Sequence, residues 1–302
     1  MYRPLRIGTR GSPLALAQAH MAAASLRAAH NWSEEWVEIV PITTTGDVIQ
    51  DRPLAEVGGK GLWTKELDRC LMDGRTDISV HSMKDVETIR PAELAVAAML
   101  PRADVCDRLI GAESIEALAE GARVGTSSPR RKAQLLHRRP DLQILTFRGN
   151  VQTRLRKIAE GEADATLLAA AGLDRLGIDA GVLIRDMLPA PAQGAIGIEA
   201  RSDRDDVREL VAAIDHCETH ACVAAERRLL EGLGGTCRSA VAALATLDGG
   251  TIRLRAEILG EDGSEAVGDE ILFHTAERDA PLKLARLLLD RASPALRALF
   301  AG

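Results

Sequence analysis

The chain contains one local unit twice, and that repetition restricts its fold more than any other feature. Residues 6–18 (RIGTRGSPLALAQ) and 123–134 (RVGTSSPRRKAQ) share R-[IV]-G-T, then S-P, then A-Q, with one additional residue in the first copy. Each describes a short buried strand, a Gly-Thr turn, and a helix opened by Ser at the N-cap and Pro at the first helical position. A second pair follows: residues 66–80 (ELDRCLMDGRTDISV) and 156–168 (RKIAEGEADATLL) both read as a helix end, G-x-x-D, and a buried strand. The copies are offset by about 117 residues in the first pair and about 87 in the second, so these are domain-level echoes and not a tandem array. Strands alternating with helices then predict two related α/β domains.

In open α/β sheets, ligands sit at the carboxyl ends of strands, against helix N-termini. Two such domains facing each other would present Arg10 and Ser12 from one side and Ser128, Arg130 and Arg131 from the other. The second side is strongly cationic. Between residues 125 and 157 nine Lys or Arg residues accompany a single acid, Asp141, in a chain whose net charge is −6. Ser128 as N-cap and Pro129 as first helical residue put Arg130, Arg131 and Lys132 in the first turn, where cations oppose the helix dipole at a cost of roughly 0.3–1 kcal/mol each. That placement makes sense if a multiply charged anion binds there. A solvated basic face is the plainer alternative.

At 302 residues the chain exceeds the size at which a single core usually divides, so two or three domains are expected. Aromatics make up only 2%, so the core must be aliphatic. No apolar run approaches the ~18–20 residues of a membrane span, and the first ten residues lack a signal peptide's apolar stretch. Five scattered cysteines fit a reducing compartment better than a disulfide frame. The reading is a cytoplasmic protein with no membrane partner. Nucleic acid is a rival ligand for the basic block, but the acidic total charge and the shortage of stacking aromatics beside the arginines oppose it.

The last third differs. After 189–199 (PAPAQGAIGIE), a hinge or crossing strand, helices are predicted over 202–214 and roughly 218–230. Residues 240–247 and 250–260 read as a hairpin about Asp248-Gly-Gly, and a helical stretch over 281–300 is broken at Pro294. This makes a small α+β third domain. Cys237, in the Gly-flanked loop GGTCRS, is accessible, and Arg238 beside it favours the thiolate; a lone loop cysteine is nevertheless more often inert. Cys70 falls on the apolar face of a helix and Cys106 in a connector. His216, Cys217, His220 and Cys222 cluster, but no C-x-x-C or H-E-x-x-H frame completes a zinc site, so no metal is expected. Asp85 ends the segment VHSMKD just after a strand, where α/β active sites collect; an ordinary helix cap is the alternative. Lys84 beside it is an anion clamp or simply solvated. Gly58-Gly-Lys-Gly61 lacks the phosphate-loop frame and suggests a flap with Trp63 as cover.

Taken together, VHSMKD (80–85), GTSSPRR (125–131), RGNVQTR (148–154), AAGLDRL (170–176), QGA (193–195) and the Gly-flanked Cys237, with Gly46-Asp47 and Gly58–Gly61, occur in the order seen in the porphobilinogen deaminase family. The chain resembles that family over nearly its whole length. The resemblance implies an α/β fold with two periplasmic-binding-protein-like (type II) domains flanking a cleft plus a small α+β third domain. The expected boundaries are 1–98 with 195–214, 99–194, and 215–302.

It also implies the activity: four porphobilinogen molecules are joined head to tail, with loss of ammonia each time, on a covalently bound dipyrromethane primer, and the linear tetrapyrrole hydroxymethylbilane is released by hydrolysis. Cys237 matches the position that carries the dipyrromethane cofactor as a thioether. Arg130, Arg131, Arg148, Arg154, Arg10 and Arg175 match the residues that bind acetate and propionate carboxylates, assisted by Lys84, Ser12, Thr126, Ser127 and Ser128. Asp85 matches the catalytic aspartate, which holds pyrrole N–H groups and stabilises the positive azafulvene left when ammonia departs. Many relatives have Gly where Thr236 and Ala192 stand, and Lys where Glu56 stands. A monomer that binds no nucleic acid is expected. Two other classes remain open at this stage: a two-lobed carboxylate-binding protein, which would need neither Cys237 nor Asp85, and a nucleic-acid-binding protein, whose affinity would fall steeply with salt.

Overall fold

Both copies of the echoed unit fold as strand, turn and helix. The computed structural model describes residues 3–44, 64–235 and 239–300. In the first copy β1 (Leu5–Arg10) leads into α1 (Pro13–His30); in the second, β6 (Arg123–Gly125) leads into α3 (Pro129–Arg138). Ser12 Oγ accepts from the Ala15 N–H at 3.3 Å, and Ser128 Oγ from the Arg131 N–H at 3.4 Å. Each serine caps a helix that Pro pre-organises at its first position.

The second echo also has a physical basis. Here α2 (Lys65–Met72) runs through Gly74 to β3 (Ile78–Ser82), and α4 (Val151–Ala159) runs through Gly161 to β8 (Ala165–Ala169). Gly74 and Gly161 both take positive φ, +68° and +73°, which favours glycine after a helix end. The aspartate three residues on then ties the strand to its neighbour. Asp77 accepts the Arg6 N–H at 3.0 Å and its guanidinium at 3.3 Å; Asp164 accepts the Arg123 N–H at 2.7 Å and its guanidinium at 2.8 Å. The repeated Arg and Asp are thus one hydrogen-bonded clasp built twice.

The remaining strands complete two five-stranded sheets of the same topology. The first adds β2 (Val37–Ile42), β4 (Leu94–Met99) and β10 (Ile196–Arg201), in the order β2-β1-β3-β10-β4. The second adds β5 (Asp107–Ile110), β7 (Gln143–Leu145) and β9 (Val182–Ile184), in the order β7-β6-β8-β5-β9. In each sheet four strands run in the same direction, and one crossing strand, β10 or β5, inserts antiparallel between two of them. Each crossing strand opens the stretch where the chain enters that sheet's unit. Each sheet by itself has the type II periplasmic-binding-protein-like topology that the family resemblance implies. Chain contacts divide the molecule into two compact units, Met1–Ala103 with Ala195–His220, and Asp104–Gly194 with Ala221–Gly302.

The first unit buries an aliphatic core of Leu5, Ile7, Leu26, Ile78, Ile196 and Ile198, with α6 (Asp205–Ala212) contributing Val207 and Val211. In the second unit the hairpin forms as expected: β11 (Val241–Asp248) pairs with β12 (Thr251–Leu259) around Gly249 and Gly250, both at positive φ. A third strand, β13 (Ala266–His274), extends it and was missing from the sequence reading. Gly268, Asp269 and Glu270 interrupt the alternation that would have revealed it. Helices α7 (Cys217–Gly232), α8 (Ala280–Arg291) and α9 (Pro294–Ala298) accompany this sheet, with Pro294 opening a new helix instead of merely breaking one. The basic helix α3 docks here: Ala133 packs with Ala240 and Leu259, Gln134 donates to the Glu257 carboxylate, and His137 Nδ1 lies 2.9 Å from the Gly263 carbonyl.

Candidate active site

The loops that follow β1 and β3 meet because these strands are parallel neighbours ending at the same edge. A pocket of about 70 Å³ opens there, lined by Arg10 at the end of β1 and Ser12 just beyond it, His81 near the end of β3 and Asp85 just beyond it, and Gln18 and Thr64. Gln18, the last residue of the echoed unit, is 2% exposed and exchanges hydrogen bonds with Ser82 Oγ, 2.7 Å from its Nε2 and 3.1 Å from its Oε1. That pair fixes α1 to the end of β3. Residues 83–85 then make one 3₁₀ turn, with the Met83 N–H bonded to the Ala195 carbonyl at 3.1 Å. A Cβ on Gly197 would lie 2.0 Å from Met83 Sδ, so the turn is seated on a glycine of the crossing strand. Asp85 ends this turn with its side chain exposed, making no helix cap; Lys84 is half-buried.

Behind the pocket lies an ionic cluster that sequence reasoning did not find. Glu199 on β10 is fully buried; its carboxylate accepts two hydrogen bonds from Arg90 (2.8 and 3.0 Å) and lies 3.1 Å from His81 Nε2. Burial pushes the Glu199 carboxyl up, but His81 and Arg90 outweigh it and hold it down at about 2. His81 was part of the VHSMKD motif; for Glu199 the signal was only an acid within the apolar run 195–200 (AIGIEA), and Arg90 carried none.

In the second unit, Thr126, Ser127, Ser128, Arg148 and Arg154 all follow the carboxyl ends of β6 and β7. Thr126 Oγ1 accepts the Ser128 N–H at 3.1 Å, shaping the turn into α3. Arg154 donates through Nη2 to Ser127 Oγ (3.2 Å) and through Nε to the Gly149 carbonyl (3.1 Å). Gly149 has φ +105°, and a Cβ there would lie 2.6 Å from Thr153, so the turn before α4 needs glycine. Arg175, at the end of α5 (Ala170–Arg175) after β8, donates to the Gly194 carbonyl at 2.7 Å. Burial lowers its guanidinium pKa, only partly offset by Asp174.

Arg130 and Arg131, expected to face a bound anion at the start of α3, close instead on an internal acid. They are 3% and 5% exposed and close on Asp107, the first residue of β5, with Nη2–carboxylate distances of 2.7 Å for both. Arg131 also reaches the Leu167 carbonyl, Arg130 the Leu188 carbonyl, and Gln193 Nε2 donates to the same carboxylate at 2.8 Å. Despite burial, the two guanidiniums hold the Asp107 carboxyl well below the usual range. Elsewhere in the block, Arg138 pairs with Asp186, Arg139 with Asp141, and Lys157 with Glu162. Of the nine cations, Arg130, Arg131 and Arg138 thus meet acids from distant parts of the chain, while Arg139 and Lys157 pair with acids close in sequence.

Cys237, with Thr236 and Arg238, lies outside the described residues, as do Gly46, Asp47, Glu56, Gly58–Gly61 and Trp63. The chain leaves α7 with the Gly235 N–H on the Leu230 carbonyl at 2.9 Å and re-enters at β11. Among the other cysteines, Cys70 is buried, and burial together with Asp104 pushes the Cys106 thiol up to about 11. His216 Nδ1 accepts the Thr219 N–H at 3.2 Å, and His220 Nδ1 lies 2.9 Å from Asp215, so both are engaged at the start of α7. Among the described residues no group of three His, Cys, Asp or Glu is arranged to hold a metal. No helix among them is long and apolar enough to cross a membrane.

Comparison with known proteins gives this geometry a context. Residues 5–209 match the family model described as the porphobilinogen deaminase dipyrromethane cofactor binding domain, and residues 220–290 match that of the porphobilinogen deaminase C-terminal domain. The porphobilinogen deaminase of Sphingopyxis alaskensis is 57% identical, with 99% of this chain and 97% of that protein aligned. The porphobilinogen deaminase of Paracoccus denitrificans is 51% identical, over 88% of this chain and 87% of that protein. Among solved structures, a nutrient binding protein from Burkholderia cenocepacia bound to methionine is similar at a TM-score of 0.43 and 14% identity, covering 70% of this chain and 91% of that one.

Proposed function

The chain belongs to the porphobilinogen deaminase family, transferases of tetrapyrrole synthesis that use a dipyrromethane cofactor, and from that premise we propose which of its residues carry the reaction. The observation that supports the reading most is the convergence of Arg10, Ser12 and Asp85 on one pocket at the carboxyl ends of β1 and β3. An anion-binding pair beside a carboxylate suits porphobilinogen, whose ring bears two carboxylates and whose methylene carbon, with the pyrrole ring, takes up positive charge as the C–N bond breaks and ammonia leaves.

The donors present fit the cofactor. Acetate and propionate groups call for guanidinium, hydroxyl and helix N-terminal N–H donors, and residues 126–128 with Arg148 and Arg154 supply that set after β6 and β7. When bound, through Cys237 in this proposal, dipyrromethane would supply the pyrrole α-carbon to which the first unit is joined, each later unit joining the ring added before it. Asp85 holds pyrrole N–H groups and stabilises the positive charge developing on the incoming substrate as its C–N bond breaks. Arg10, Ser12, Arg148, Arg154 and Arg175 bind substrate carboxylates, and Lys84 assists beside Asp85. Arg130 and Arg131 contribute through their field and the N–H groups left over from Asp107, while anchoring the N-terminus of α3. The proposed domain boundaries are 1–98 with 195–214, 99–194, and 215–302. The enzyme is proposed to act as a cytoplasmic monomer without nucleic acid, which light scattering of the purified protein checks.

Intact mass spectrometry of the purified protein and of Cys237→Ser tests the reading. Two porphobilinogen-derived units on the wild type and none on Cys237→Ser are expected. A wild type that stays unmodified after incubation with porphobilinogen would refute it.

A further inference from the structure

The segment that follows Asp85 is tied to the rest of the first unit through Arg90, which none of the motifs includes. Arg90 is 8% exposed, and its guanidinium is shared among three carboxylates from three parts of the first unit. Nε and Nη2 hold Glu199 on β10 at 2.8 and 3.0 Å; Nη2 also reaches Asp68 on α2 at 2.5 Å; Nη1 reaches Glu87, two residues beyond Asp85, at 2.7 Å. Thr64 Oγ1, itself on the pocket wall, donates to the same Glu87 carboxylate at 2.8 Å. Glu199 in turn lies 3.1 Å from Nε2 of His81, which lines the pocket beside Asp85.

We propose that Arg90 is the positioning residue of the Asp85 pocket: it pins the chain on the far side of Asp85 through Glu87 and orients His81 on the pocket wall through Glu199. Two ends of the 81–87 segment are thereby tied to one rigid group, with Asp85 between them. The 3₁₀ turn is closed by the Val86 N–H to Met83 carbonyl bond, 3.3 Å long, and seated at its start by the Met83 N–H on the Ala195 carbonyl, but neither bond reaches Glu87 beyond Asp85. Only arginine suits the position. Its planar fork directs donors at several acceptors at once, whereas a lysine ammonium is a point charge on a flexible stem. The charges agree: burial alone would lower the Arg90 pKa, but Glu199 and Asp68 raise it, and burial raises that of Asp68. One always-charged group therefore holds a cluster otherwise rich in acids.

This inference rests on the proposed role of Asp85, and the experiment separates the two. Arg90→Lys, Arg90→Met, the double variant Arg90→Met/Glu199→Gln and Asp85→Asn are purified with cofactor loading followed by intact mass. For each, the thermal midpoint, kcat and KM are measured. Arg90→Lys is expected to load cofactor and to lose roughly tenfold or more in kcat with KM within about threefold, because a displacement near 1 Å costs rate more than binding. The double variant removes an acid together with the base, so it should recover much of the midpoint lost in Arg90→Met without recovering kcat. Should Arg90→Lys not fold, Glu87→Gln loosens the same tie at its more exposed arm and carries the same kcat criterion. The proposal is overturned if kcat of Arg90→Lys stays within about threefold of wild type, or if the double variant regains kcat along with its midpoint. Wild-type kcat in Asp85→Asn would instead remove the Asp85 reading, and the positioning role with it.

Discussion

Replacing Asp107 by Asn removes one charge from the interior of the second unit while conserving shape, and the structure sets the size of the effect. The carboxylate accepts from Arg130 Nη2 (2.7 Å), from Arg131 Nε (3.1 Å) and Nη2 (2.7 Å), and from Gln193 Nε2 (2.8 Å). Asn keeps one acceptor oxygen but turns the other into an NH₂ group facing guanidinium donors. Neither arginine can escape by shedding its proton, and both are almost fully buried. Leaving a buried charge without its partner costs about 3–5 kcal/mol; sharing of one anion by two cations places this case in that range and not at twice the value. For a unit of about 170 residues, each kcal/mol moves the midpoint by roughly 2–4 °C, so a drop of roughly 6–20 °C is expected. Thermal melts followed by circular dichroism measure it, with Asp186→Asn as control. Asp186 pairs with Arg138 at 2.7 Å but is 71% exposed, and a surface pair contributes at most about 1 kcal/mol. A drop for Asp107→Asn no larger than for Asp186→Asn would refute the account of a buried double ion pair.

Two further predictions follow from backbone strain and from pH. Ala192 takes φ +62°, in the left-handed region, and its N–H is held by the buried carboxylate of Glu226; Ala192→Gly should stabilise the protein by up to about 1 kcal/mol, read as a higher denaturant midpoint, and a lower one would contradict the strain. Glu199 titrates at about 2 when folded against 4.5 ordinarily, so its depressed pKa contributes stability that is complete above about pH 4.5 and is lost as pH falls toward 2. The thermal midpoint should accordingly hold near neutral pH and fall steeply below about pH 4.5, with Glu199→Gln showing a shallower fall; equal slopes for the two proteins would exclude this source.

The site was legible where its signals are local. Ser12-Pro13 and Ser128-Pro129 announce helix starts, and G-x-x-D at residues 74–77 and 161–164 announces the following strand, because capping and turn conformations depend on a few adjacent residues. The Asp85 segment, Arg10 and Ser12 could be placed at strand ends for the same reason. β13 escaped notice because Gly268 and two acids hide its alternation, and Cys237 lies in residues the structure leaves undescribed.

What only the tertiary structure decided is which charges meet. Asp107 is 23 residues from Arg130, Glu199 is 109 from Arg90, and Glu257 is 123 from Gln134. Each of these acids lies on a strand remote in sequence from its partner: two on the crossing strands β5 and β10, one on β12. The sequence by itself determined that there would be two similar α/β lobes and where their binding loops begin, since hydrophobic period and helix capping are short-range. It could not determine that half of a conspicuous arginine pair's hydrogen bonds are spent on an internal acid, or that Arg90 stands behind the Asp85 pocket. An ion pair is selected by distance and desolvation in the folded chain, and neither exists until the crossing strands are in place.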